Sequence, residues 1–84
     1  MTKKNQQKVI VSERALVARI NRRFRAEDEA LELRKSRSEA MKRSYGPYYV
    51  LNTRHNVIQG YNYINLEEYA KEWDALRPWE RLQS

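Results

Sequence analysis

Arg14, Arg19, Arg22, Arg23 and Arg25 lie within twelve residues, and their spacing puts them on one side of a helix. At about 100° per residue they centre near ~80°, while Leu16, Val17, Ile20, Phe24 and Leu31 centre near ~260°. The apolar residues therefore face a core, and the guanidiniums line the opposite surface. A guanidinium offers phosphate a planar fork of two hydrogen bonds and loses its water readily, so such a face suits a nucleic-acid backbone. Lys3, Lys4 and Lys8 extend the positive charge into the preceding segment. The simpler reading is a solvated face, with Arg23–Glu27 and Arg25–Glu29 pairing at i,i+4. No acid in the same register answers Arg14, Arg19 or Arg22.

The second chemical cluster is aromatic. Residues 45–65 hold five of the six tyrosines. If residues 57–64 are a strand, Tyr61 and Tyr63 project from one face and Ile58 and Ile64 from the other. The isoleucines are the better core anchors, which leaves Tyr61 and Tyr63 open, with either Tyr48 or Tyr49 beside them. Aromatic rings on an open sheet stack on unpaired bases. Tyrosine also fills half-buried strands with its hydroxyl in water. A third reading has a homodimer burying Tyr61 and Tyr63.

Catalytic chemistry finds few candidates. His55 is the single histidine and sits at an expected hairpin tip, cysteine is absent, and Gly46 and Gly60 are the only glycines. Thiolate and His-rich metal sites and glycine-rich phosphate loops are thereby excluded. Glu67, Glu68, Glu72 and Asp74 flank a helix and do not converge. We expect no enzyme activity, no cofactor, no metal and no small-molecule substrate. The longest apolar runs, Val9–Val11 and Ala15–Ala18, are too short for a membrane span or signal segment. A cytoplasmic protein is expected.

These side chains need a scaffold, and 84 residues with 40% hydrophobic content allow one small domain. The net charge is +6, concentrated at the start: residues 1–25 carry three lysines and five arginines against one acid. Residues 1–8 read as a flexible basic tail and 9–84 as a single domain. Val9–Val11 is a candidate edge strand. Ser12 reads as the N-cap of a long helix running to about Arg34, either continuous or broken near residue 36, where Ser36 and Glu39 have capping-box spacing. Gly46-Pro47 ends the helical region. Strands follow at 48–53 and 57–64, joined through Asn56, which tolerates a left-handed backbone. Asn65 and Glu68 open a short C-terminal helix with Leu66, Tyr69, Ala70, Trp73 and Leu76 inward, ended by Arg77-Pro78. Trp79 and Leu82 are expected to fold back on the core.

The stretch from Tyr48 to Glu80, with its Asn-containing hairpin, its capped N-L-E-E-Y-A-K-E-W helix and L-R-P-W-E, resembles small bacterial or mobile-element proteins. That resemblance carries over no functional residue. The expected fold is α+β: long basic helix, tyrosine-rich hairpin, short C-terminal helix. The expected function is non-catalytic binding to nucleic acid or a nucleic-acid-bound complex. Arg14, Arg19, Arg22, Arg23, Arg25, Lys3, Lys4 and Lys8 would hold phosphate, and Tyr61 and Tyr63 would stack. The alternative is a protein–protein module, a small phage or plasmid inhibitor or adaptor, docking on an acidic partner surface, either alone or as a homodimer.

Overall fold

The computed structural model describes residues 9–60 and 64–83, and all that follows concerns those residues. The fold is α+β: β1 (Val9–Val11), α1 (Glu13–Ala26), β2 (Leu31–Lys35), α2 (Glu39–Tyr45), β3 (Tyr48–Asn52), β4 (Val57–Gly60), α3 (Leu66–Glu72) and β5 (Glu80–Leu82). The expected tail at 1–8 lies outside the described residues.

α1 begins as its sequence suggests. Ser12 accepts a hydrogen bond from the Ala15 N–H, and Glu13 occupies the first turn, where its charge meets the positive end of the helix dipole. Leu16, Ile20 and Phe24, spaced four apart, are fully buried. The helix is shorter than expected, however. It stops at Ala26 because Asp28 adopts a left-handed backbone (φ 60°), so that the Glu29 N–H returns to the Phe24 carbonyl at 2.8 Å and the Asp28 N–H to Arg25 at 3.1 Å. This is a Schellman closure with aspartate where glycine is usual. Three acids at the negative helix end also disfavour further helix.

Residues 31–35, expected as helix, form a strand instead. β2 pairs antiparallel with β3, and β3 with β4, giving a sheet of order β2-β3-β4. Leu33, opposite Val50, is buried against α1, and the apolar alternation of Leu31 and Leu33 explains the strand. The second helix is capped by Ser38, whose hydroxyl accepts from the Met41 N–H, and not by Ser36. Ser36 is buried and donates to the Gly46 carbonyl at 2.7 Å, closing the loop around α2. Gly46 (φ 86°) ends α2 as expected.

The hairpin turns through Asn56 in the expected left-handed conformation (φ 56°), and the Asn52 side chain accepts from the Arg54 and His55 N–H groups. The first strand ends one residue earlier than expected, at Asn52, and residues 61–63 of the expected second strand lie outside the described residues. A bulge also shifts the register, pairing Val50 with Gly60 but Leu51 with Ile58, so strict alternation fails at Gln59. Tyr48 and Tyr49 are both buried, so neither sits on an open aromatic face. Tyr48 packs in the main core and donates its hydroxyl to the Glu13 carboxylate, whereas Tyr49 stacks beside Tyr45 of α2 (centroids 5.8 Å apart).

Asn65 caps α3 through the Glu68 N–H. This helix also ends early, at Glu72, where Asp74 (φ 56°) lets the Ala75 N–H reach the Ala70 carbonyl at 2.7 Å. Leu76 is buried all the same, from the segment that follows. Trp73 is half-buried and meets Phe24 edge-on, centroids 4.7 Å apart, fixing α3 against α1. β5 then runs parallel to β1, Val9 opposite Glu80 and Val11 opposite Leu82. The expected extra strand at 9–11 thus exists but pairs with the C-terminal strand and not with the hairpin.

Candidate functional site

α1 divides its arginines by direction. With Arg14 taken as 0°, Arg25 lies near ~20° and Arg22 near ~80°, all on the solvent side, while Arg19 and Arg23 lie near ~140° and ~180°, on the shoulder of the buried stripe. The two shoulder arginines belong to the fold. Arg19 donates to both oxygens of Glu80 at 2.7 and 3.1 Å and to the Ala75 carbonyl at 3.4 Å. Arg23 Nε donates to the Trp73 carbonyl at 3.1 Å, and its Nη2 to Glu27 at 3.0 Å. No acid in the helical register answers Arg19, but Glu80, only 9% exposed, does so from the other end of the chain, so Arg19 is not the open phosphate ligand expected. The Arg23–Glu27 pair forms as expected. The Arg25–Glu29 pair does not, because the helix has already ended.

Glu80 is the electrostatic pivot of this region. Its carboxylate is held below its ordinary value of 4.5, first by the hydrogen bonds from Arg19 and then by the Arg77 N–H at 2.9 Å. A carboxylate depressed by folding contributes stability that is complete above its unfolded value and is lost as pH falls through the lower folded one. Glu80→Gln is therefore expected to lower the urea midpoint at neutral pH, with wild-type and variant curves converging in acid. Midpoints measured across this range check it. Parallel curves would mean that the ion pair adds nothing.

Arg14, Arg22 and Arg25 remain exposed, with no hydrogen-bond or ion-pair partner among the described residues. Each flank of this strip carries a depression. On one side a groove of about 750 Å³ runs between α1, β2 and α2, with Arg14 and Arg37 on its walls. Its other charges are internally matched, Arg34 to Glu32 at 3.0 Å and Lys35 to Glu13 at 3.2 Å. On the other side a cleft of about 380 Å³ lies between α1 and the segment joining α3 to β5, and Arg22, Arg77 and Trp79 are among the residues that line it. Arg37, Arg77 and Trp79 were not legible as site residues. Trp79, expected in the core, is 58% exposed.

Lys3, Lys4, Lys8, Tyr61 and Tyr63 lie outside the described residues. His55 is exposed in the hairpin loop. Among the described residues no group of three or more His, Asp or Glu side chains is placed to hold a metal ion, and no helix is long and apolar enough to cross a membrane. No protein-family model, curated protein or solved structure matches the chain.

Proposed function

We propose that this is a non-catalytic binding protein that engages nucleic acid, or a complex assembled on nucleic acid, through the solvent strip of α1. One contrast carries the reading: the same helix commits Arg19 and Arg23 to carbonyl and carboxylate partners and leaves Arg14, Arg22 and Arg25 with none. Unmatched guanidiniums at this spacing, on a chain of net charge +6, suit successive phosphates. Replacing Arg14, Arg22 and Arg25 together with Gln is expected to leave melting unchanged. It should flatten log affinity against log salt by about 2 to 3, each lost phosphate contact accounting for ~0.7–0.9. A wild-type protein with no measurable affinity for DNA or RNA at low salt would refute the reading.

A second reading has support from the exposed Val9 and Ile10 on β1, apolar side chains that a protein partner would cover. In that case the strip docks on an acidic protein surface, as an inhibitor or adaptor does. A pull-down with and without nuclease separates the two, because capture survives digestion only when protein is the direct partner.

A further inference from the structure

We propose that the cleft beside Trp79 receives one unpaired nucleotide, its base stacked on the indole and its phosphate held by Arg22 and Arg77. The proposal rests on the nucleic-acid reading above and adds what that reading lacks, a preference for single strands. Four arginines, Asp74, Ala75, Trp79 and Glu80 line the cleft. Two of the arginines are already committed, Arg19 to Glu80 and Arg23 to Glu27 and the Trp73 carbonyl. Arg22 and Arg77 are left as the unmatched cations, and Asp74, the unmatched acid, turns a phosphate towards them. A volume of about 380 Å³ is at the small end of ligand sites, about 300–1,000 Å³, and suits one nucleotide.

The indole is exposed on a stiff support. The Glu80 N–H bonds to the Arg77 carbonyl at 2.9 Å, making a tight turn with Pro78 second and Trp79 third. The Trp79 carbonyl accepts from the Val9 N–H at 2.8 Å, and Glu80 is clamped by Arg19 and the Arg77 N–H. The backbone on both sides of the ring is thus fixed before any ligand arrives. A large ring held open beside two unmatched guanidiniums has the parts of a single-strand site: a stacking platform and phosphate donors. A base within a duplex keeps its faces covered and does not reach the ring.

The test uses Trp73→Phe as background, so that Trp79 is the sole tryptophan, and its emission is excited at the red edge, where tyrosine does not absorb. Oligo-dU and oligo-U, which differ only in the sugar, are titrated separately, alongside a duplex of equal length. Single strands are expected to quench the emission saturably, and the stronger of the two names the natural sugar. Trp79→Ala should weaken single-strand binding about 5- to 150-fold while altering duplex binding less than about 2-fold. Trp79→Phe, which keeps a ring, should retain most of it and guards against a folding defect in the alanine variant. No quenching, with single-strand affinity unchanged in Trp79→Ala but lost in the Arg14/Arg22/Arg25 variant, overturns the cleft and leaves the strip standing. No binding of the wild type to any of the three probes overturns both. Trp79→Ala abolishing self-association in sedimentation, without quenching by either oligonucleotide, assigns the ring to a protein contact and overturns the cleft.

Discussion

Phe24→Ala is expected to remove a large share of the stability of this protein. The ring is fully buried, packs within one cluster with Leu16, Ile20, Leu33 and Val50, and meets Trp73 and Tyr69 edge-on at 4.7 and 6.4 Å. It is the point where α1 touches both the sheet and α3. Truncating a buried phenylalanine costs about 3–5 kcal/mol. A domain of 84 residues has about 4–13 kcal/mol in all. The melting temperature should fall by more than about 12 °C, read by circular dichroism. Trp73→Ala should cost less, since that ring is half in solvent and leaves a smaller cavity. A Phe24→Ala variant melting within a few degrees of wild type would mean that α1 and α3 are held together by something other than this contact.

Asn21→Ala is expected to have the next largest effect. Asn21 sits on the α1 flank opposite Arg19 and Arg23, and its amide reads one residue of the neighbouring strand completely. Its Oδ1 accepts from the Leu33 N–H at 2.7 Å, and its Nδ2 donates to the Leu33 carbonyl at 3.2 Å. β2 is an edge strand, and Leu33 turns its backbone groups away from β3, so the side chain substitutes for a missing strand. Removing it leaves a donor and an acceptor under a packed helix with no partner, a loss of about 1–3 kcal/mol. Asn21→Asp should be intermediate in kind: a carboxylate still accepts from the N–H but cannot donate to the carbonyl. Amide exchange at Leu33 should quicken in Asn21→Ala well beyond that in Asp. Unchanged exchange in both would show that the contact is not holding the edge.

The parts of the fold that were legible share one property: their signals are local. Ser12, the Leu16–Ile20–Phe24 stripe, the Asn56 turn and the Asn65 cap each depend on residues within a few positions of one another. The missed parts have two causes. Glycine and proline are the usual stops, but here Asp28 and Asp74 take the left-handed position that ends a helix, so both helices are shorter than their sequences suggest. At about 100° per residue Leu33 falls off the helical stripe, and its alternation with Leu31 is the trace of β2. The site divides in the same way. The exposure of Arg14, Arg22 and Arg25 follows from helical spacing alone. The commitment of Arg19 depends on Glu80, 61 positions away, which no local pattern reveals. Trp79 looked like core because it is large and apolar, and only the turn that carries it explains its exposure.

The parallel pairing of β1 with β5 has a kinetic consequence. Val9 meets Glu80 through roughly 70 residues of intervening chain, and closing a loop of that length costs about 4 kcal/mol of chain entropy before any contact forms. A ribbon of two three-residue strands repays little of this by itself, so it must wait for α1, the sheet and α3 to bring its ends together. The ribbon is therefore expected to be the last element to form. Arg19 and Glu80 lie at that seam, and Trp79 hangs from it through the Val9 N–H. The aromatic end of the cleft comes into being only when folding is complete, whereas the α1 strip exists as soon as the helix does. A partly folded chain would carry the charged strip before it carried the aromatic cleft.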